Sequence, residues 1–584
     1  MGSLSVKGAA AVVLLVALGG CKTSAPEPDR PSSQRVFHNG AVYTVDPSQP
    51  QAEAMVIDGE RIVFVGDSKT ALQKAEAGAE RIDLAGKMVL PGLIDAHLHP
   101  IRGSLQTLYA CSFPFSATPE QVQQAIARCV VEQPESDWII GGQWDSAFFE
   151  THELASPRQL LDTVSGDKAV YLRDDSLHNG WVNSRALALA GIDKDTPDPP
   201  GGSFLREADG TPNGVLLETA AKMMQDVMPE YSSEQTAQAV EHFMRTASAF
   251  GITGIKDAST HPWESKAWKA MDTALADRGG LDLNVAVSLR GPDGRRITGM
   301  DYRFYEAARE RYAGRRVHTN FVKLFLDGVP TPARTAAMLA PYLADHKHGS
   351  NFSGGPLLIA PQALARDVIE LDRRGFTVKM HAAGDRSVRA ALDAIEAARE
   401  ANGASGLRHE LAHAGYISPQ DVPRFKTLNA VADLSPILWY PSPIIDAIYQ
   451  AVGEERGQYY FPVRDLIDSG AGLLAGSDWP AVAKSADPWI GIESLVTRSD
   501  PLADSPAQLW PEQAITVEEA IRIYTIEGAR ALRLEGETGS LAAGKSADFL
   551  ILDDNLLEIP SEDISGVRPR ETWFAGRRVY PREE

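Results

Sequence analysis

Two histidines one residue apart, His97 and His99, close the apolar run "PGLIDAHLHP" at residues 91–100. In a strand, residues i and i+2 face the same side, so both imidazoles leave the strand end in one direction. Converging neutral imidazoles chelate zinc, iron, copper or nickel. The tripeptide alone is weak, since two unrelated polar residues at a strand-to-loop junction read the same way. Further ligands must decide, and His381, His413 and Asp478 each close another apolar, strand-like run.

Lys323 is the unusual member. In "NFVKLFLDG" (320–328) it shares a strand face with Phe321, Phe325 and Asp327. Burial penalises an ammonium and lowers its pKa toward the neutral amine. A neutral lysine can add carbon dioxide to give a carbamate, an anionic oxygen ligand able to bridge two metals. The alternative is a lysine paired with Asp327, because buried charges are usually paired. Lys379, which shares a face with His381, is the second choice for the modified lysine.

These residues lie hundreds of positions apart, so the fold has to gather them. Strand candidates recur at "MVLPGLIDAHLHP", 251–258, 283–290, 320–328, 376–384, 407–413, 429–436 and 471–480. Helical patterns such as "ALARDVIELDRRG" and "VRAALDAIEAAREANG" separate several of them and end near Gly375 and Gly403, as helix C-caps do. Eight strands with intervening helices predict an α/β fold, a (β/α)8 TIM barrel over residues 91–534, which brings all strand C-termini to one mouth. Residues 105–245 are too long for one connection and predict an inserted α+β lid subdomain carrying Trp144, His178 and Asn183. Those three are candidates for contacting substrate or a developing oxyanion, against a simpler role in the lid's own core. Short β-like runs at 35–90, with Asn39-Gly40 and Asp58-Gly59 turns, and others at 535–584 predict one composite β-sandwich built from both ends.

Composition bounds the function. With 584 residues, 43% hydrophobic and 23% charged, the chain can bury a large core. A formal net charge of −21 argues against nucleic acid as a partner. Lys7 and the apolar run "GAAAVVLLVALGG" form a signal-peptide core rather than a transmembrane span. The run ends in "LGGC", which resembles a bacterial lipoprotein signal over residues 1–20, with Cys21 as the lipidated first residue of the mature chain. "KTSAPEPDRPSSQ" then reads as a flexible tether over 21–34. The expected location is the bacterial cell envelope, periplasm-facing or extracellular, with the membrane touched only through the lipid. Cys111 and Cys129 are the other two cysteines, and the sequence leaves their pairing open.

The phrases "PGLIDAHLHP", "HNGWVNSRAL", "KLFLDG", "HAAGDRSV", "GSDWP", "ADPWIGIESLVTRSDP" and "GSLAAGKSADFLILD" together resemble the amidohydrolase superfamily. More narrowly they are similar to its amidohydrolase-3 branch, which includes N-substituted formamide deformylases. The resemblance implies two divalent metal ions, most simply zinc. His97, His99 and Asp478 would hold one, His381 and His413 the other, with carboxylated Lys323 between them. It implies hydrolysis of an amide, N-acyl or N-formyl C–N bond in a small molecule by metal-activated water. Asp478 would be the catalytic residue, taking the water proton and returning it to the departing nitrogen. Two departures from the family pattern stand out. Ala412 precedes His413 where the family usually has Glu, and Ser435-Pro436 replaces a frequent Gln-Pro. Alternative readings are a mononuclear deaminase or ester/lactone hydrolase on the same scaffold, and a non-catalytic metal- or solute-binding lipoprotein.

Overall fold

The structure is a computed structural model that describes Gly2 and residues 33–581, apart from 146, 291–299, 346–348, 482 and 504. The expected signal segment, Cys21 and most of the tether lie outside the described residues. No helix among the described residues is long and apolar enough to cross a membrane.

The centre is an eight-stranded sheet in sequential order, all neighbours parallel. Its strands are Leu93–Leu98, Ile252–Thr260, Asn284–Leu289, Val317–Phe325, Thr377–His381, Glu410–Ala412, Val431–Leu434 and Gly472–Ala475, here called the first to eighth barrel strands. All eight coincide with the strand candidates above. Backbone bonds from Asp478 N–H to the His97 carbonyl (2.7 Å) and from His99 N–H to the Trp479 carbonyl (2.8 Å) join the eighth strand's exit to the first. The expected helices follow the patterned stretches. Pro361–Arg373 gives way to Gly375 at φ +79°, and Asp385–Asn402 is capped by Gly403 at φ +76°.

The run around "PGLIDAHLHP" serves two layers. Met88–Pro91 pairs antiparallel with Phe549–Leu552 in a terminal sheet, and the barrel starts only at Leu93. Gly92 makes the transition because a Cβ there would approach Thr253 Oγ1 to 2.1 Å. That six-stranded sheet mixes both chain ends and packs on a four-stranded sheet from residues 34–83. Phe37, Phe549 and Trp573 form the aromatic centre between them, with ring centroids 5.0 to 5.5 Å apart.

The insert holds a six-stranded mixed sheet from Cys111–Ser112 to Pro212–Glu218. The helix Ser233–Phe250 straddles residue 245, and its apolar face (Ala239, Val240, Phe243) joins the barrel core. A disulfide ties Cys111 on the insert's edge strand to Cys129 on the helix Pro119–Glu132.

Candidate metal centre

Strand alternation and barrel geometry put the acids and imidazoles at one mouth. His97, His413 and Asp478 offer ligand atoms that all lie within 4.8 Å of one another. Asp478 is the hub. One carboxylate oxygen lies 3.5 Å from His97 Nε2 and 3.4 Å from His99 Nε2, and the other lies 3.7 Å from His413 Nδ1. The His381 ring sits 4.7 Å from that of His413, its Nε2 turned to the Gly328 carbonyl at 3.0 Å. His413 and Asp478 both hold left-handed backbone, at φ +58° and +57°. That conformation is uncommon for non-glycine residues and clusters at functional sites.

Burial keeps all four imidazoles well below their ordinary pKa, hence neutral and ready to donate lone pairs. Burial also pushes Asp478 up to about 7 against the pull of Lys323. His97 shows how the ligand face is set. Its Nδ1 bonds Asp433 at 2.6 Å, while its buried Nε2 has no hydrogen-bond partner among the described residues. An orphaned imidazole nitrogen beside a carboxylate fits a metal, since carboxylate–histidine–metal chains fix the tautomer in this way.

The two lysines differ sharply. Lys379 bonds both Asp433 and Glu410, and Glu410 in turn takes Lys256, so two cations and two anions close a buried network beneath the site. Burial opposes its charge, but Asp433 and Glu410 hold Lys379 above the ordinary lysine range. Lys323 forms no ion pair among the described residues, and its nitrogen lies over the Phe325 ring at 5.1 Å. Burial, then Lys379, pulls Lys323 down to about 7. Asp327, the expected alternative partner for Lys323, instead accepts the N–H groups of Ala337, Ala383 and Gly384 and the Ser387 hydroxyl. The pairing alternative is therefore corrected: Asp327 braces loops, and Lys323 is left to the mouth.

The lid residues separate. His178 lies beside His381, with the rings tilted and their centroids 5.1 Å apart, and lines a cavity of about 60 Å³ together with His413 and Asp478. Its Nδ1 lies 2.8 Å from Glu218 Oε2. Glu218 holds φ +52°, a strain costing about 1–3 kcal/mol. Burial would raise its carboxyl, yet His178 and Lys222 bring it down to about 2. Trp144 packs against Phe149 and lines a neighbouring cavity of about 420 Å³. Asn183 is placed elsewhere. Its amide caps the helix Ser184–Leu189 and bonds Val170, Ser165 and Lys168, so the structure assigns it to the lid's core rather than to substrate.

Asp433, Glu410 and Glu218 were not legible as site residues. The first two sit inside short apolar strands, and Glu218 acquires its role only when the lid meets the loop after the fourth strand. The departures noted in the sequence have local consequences. Glu410 stands two residues before Ala412 and points into the lysine network, and Ser435 Oγ touches His413 Nδ1 at 3.3 Å.

Known proteins resemble the chain over most of its length. The chain is 29% identical over 551 residues to the protein LONG AFTER FAR-RED 3 of Arabidopsis thaliana, covering 93% of this chain and 91% of that protein. It is 29% identical over 561 residues to the N-substituted formamide deformylase of Arthrobacter pascens, covering 93% and 98%. An uncharacterized metal-dependent hydrolase from Pyrococcus horikoshii superimposes with a TM-score of 0.68 at 25% identity, over 91% of this chain and 99% of that structure. The sequence profile of the amidohydrolase family matches residues 80–580, and with the metal-ready histidine mouth of the barrel this makes the chain a member of that family.

Proposed function

We propose that the protein hydrolyses a C–N bond, amide, N-acyl or N-formyl, of a small molecule. The observation that carries this reading is Asp478, buried among three imidazoles with Lys323 close enough to influence it. His97, His99, His381, His413 and Asp478 would hold two divalent ions, most simply zinc, with Lys323 as the carbamate between them. Such ions supply a Lewis acid for the carbonyl oxygen and bring the pKa of bound water to about 7. The chain's own residues do the rest. Asp478 takes the proton of the attacking water, and Asp433 keeps His97 in the tautomer that presents Nε2.

Two features support an amide substrate. The small cavity beside Asp478 is walled by Leu438, Ile444, Ile448 and Tyr460, which suits a short apolar acyl group. The similar Arthrobacter protein is named for cleaving N-substituted formamides. A second reading, one metal acting in a deaminase or ester hydrolase, draws on a specific fact. Among the described residues the one converging three-ligand group is His97, His413 and Asp478. Zinc-loaded protein tested on N-formyl, N-acetyl and cyclic amides beside matched esters decides between them. Cleavage of esters alone would remove the amide reading.

We also propose that Cys21 carries a lipid and holds the protein to the cell envelope. The Cys111–Cys129 disulfide supports an oxidising compartment.

A further inference from the structure

The polar groups around the small cavity fall on two sides. Asp478 stands after the eighth barrel strand, beside the first. Across the mouth, above His381 of the fifth strand, stands His178 of the inserted lid. Its mooring is built from buried polar groups. Asp174 accepts the Asn179 backbone N–H (3.0 Å), the Asn179 side-chain amide (2.7 Å) and the Ser176 hydroxyl (2.7 Å), and so shapes the turn on either side of the histidine. Glu218 takes His178 Nδ1 on one oxygen and the Thr335 hydroxyl, at 2.6 Å, on the other. Thr335 belongs to the segment after the fourth barrel strand, so the carboxylate is gripped from both lid and barrel. As in the Asp433–His97 pair, a buried carboxylate holds Nδ1, here on a ring that lines the small cavity.

The same residues mark the boundary between two spaces. His178 lines the small cavity, while its neighbour Asn179 and its partner Glu218 line the large one. The segment 328–335 also lines both, Val329, Pro330 and Thr331 on the small side and Pro332 to Thr335 on the large side. An amide whose short acyl group fills the small cavity, with its carbonyl carbon facing Asp478, directs its nitrogen at this boundary. Bulkier and partly aromatic walls, Trp144, Phe149 and Phe352, lie beyond it.

We propose that His178 is a catalytic residue that protonates the departing amine nitrogen, and that Glu218 is the positioning residue that aims it. This rests on the amide-hydrolase reading above and divides its proton handling between two groups. Water adds to the carbonyl carbon while its proton goes to Asp478. The C–N bond then breaks with its electron pair passing to nitrogen, and the Nε2 proton of the His178 imidazolium joins that nitrogen, leaving a neutral ring whose Nδ1 proton stays hydrogen-bonded to Glu218. The proton on Asp478 returns through solvent to His178, so each turnover consumes one water and releases one acid and one amine.

Leaving-group dependence is the test. A proton donor matters greatly for a poor leaving group and little for a good one, whereas a merely structural role affects both alike. Wild type, His178→Gln and Glu218→Gln are compared on an N-acyl alkylamine and an N-acyl p-nitroanilide with the same acyl group, with zinc content and circular dichroism measured beside kcat and KM. We expect His178→Gln to lose about 10²- to 10⁴-fold in kcat on the alkylamide and less than about 10-fold on the anilide. Glu218→Gln keeps the Thr335 bond and should show the same asymmetry at smaller size, with zinc content unchanged in both. Equal losses on both substrates, or none, overturn the role of His178 while leaving the amide reading intact. A wild-type enzyme that cleaves the ester of that acyl group but neither amide removes the reading itself and this role with it.

Discussion

Asp433 Oδ2 lies 2.6 Å from His97 Nδ1, and the same oxygen takes the ammonium of Lys379. One buried carboxylate therefore orients the imidazole of a candidate metal ligand and anchors the charged floor of the barrel. Asp433→Asn keeps the shape but removes the charge. It should lower metal affinity about 10- to 100-fold, as loss of such an orienting partner does. It also leaves Lys379 short of one anion, at about 3–5 kcal/mol of stability for a broken buried pair. Metal titration and denaturant unfolding read the two effects separately. Unchanged metal affinity in a folded variant would show that His97 does not depend on Asp433.

Lys323 and Lys379 should behave as opposites. Lys323→Ala should lose metal and activity while remaining folded, because it breaks no ion pair among the described residues. Short carboxylic acids should restore part of both by filling the place of the carbamate. Lys379→Met should lower stability, and no added acid should repair it, because Glu410 and Asp433 lose their counter-charge. Rescue of the Lys379 variant and not of the Lys323 variant would reverse the assignment.

Metal content gives the next expectation. The fully active protein should hold about two metal ions per chain, in keeping with two-metal hydrolysis. His97→Ala and His381→Ala should each abolish most activity with the fold intact. Elemental analysis finding one ion in fully active protein would leave the single-metal site at His97, His413 and Asp478.

Acid sensitivity is expected from the closed end of the barrel, away from the site. His409 is fully buried, accepts the Val378 N–H on Nδ1 at 3.0 Å and meets Asp372 with Nε2 at 3.0 Å. Both nitrogens are engaged by a neutral ring, and burial holds its pKa below the ordinary 6.5. The unfolded chain therefore takes a proton that the fold refuses, so stability falls as pH drops below the ordinary value. Asp372 adds to the loss further down, because His409, Ser405 and Asn402 hold it below its usual range despite burial. His409→Gln offers one donor and one acceptor without titrating. It should lower Tm overall but flatten its decline between about pH 7.5 and about pH 5.5. An unchanged slope would assign the acid sensitivity to other groups.

Cys21→Ser should release the protein from membranes and leave hydrolysis unharmed, since no described residue of the site lies near the N-terminal segment in sequence. Fractionation after a high-salt wash checks this. A variant that stays with the membranes would place the attachment elsewhere.

The metal-ligand candidates were readable in the sequence because each closes an apolar run of strand length, and a parallel barrel sends all such ends to one mouth. His97, His99, Lys323, His381, His413 and Asp478 needed no contact information to be grouped, only alternation and strand count. The helix caps at Gly375 and Gly403 were readable for the same local reason. The tertiary structure alone decided which lysine is free, because Lys323 and Lys379 have equivalent patterns and differ only in what lies across the barrel from them. Asp327 was reassigned from ion-pair partner to loop brace on similar grounds: three backbone N–H groups from distant loops reach it only after folding. Asn183 left the site because a helix start claims its amide, and Glu218 entered it because Thr335, 117 residues away, closes on its second oxygen. Periodicity reports which way a side chain points along its own strand or helix. What meets it there is set by packing between elements, and that information is absent from any single stretch of the chain.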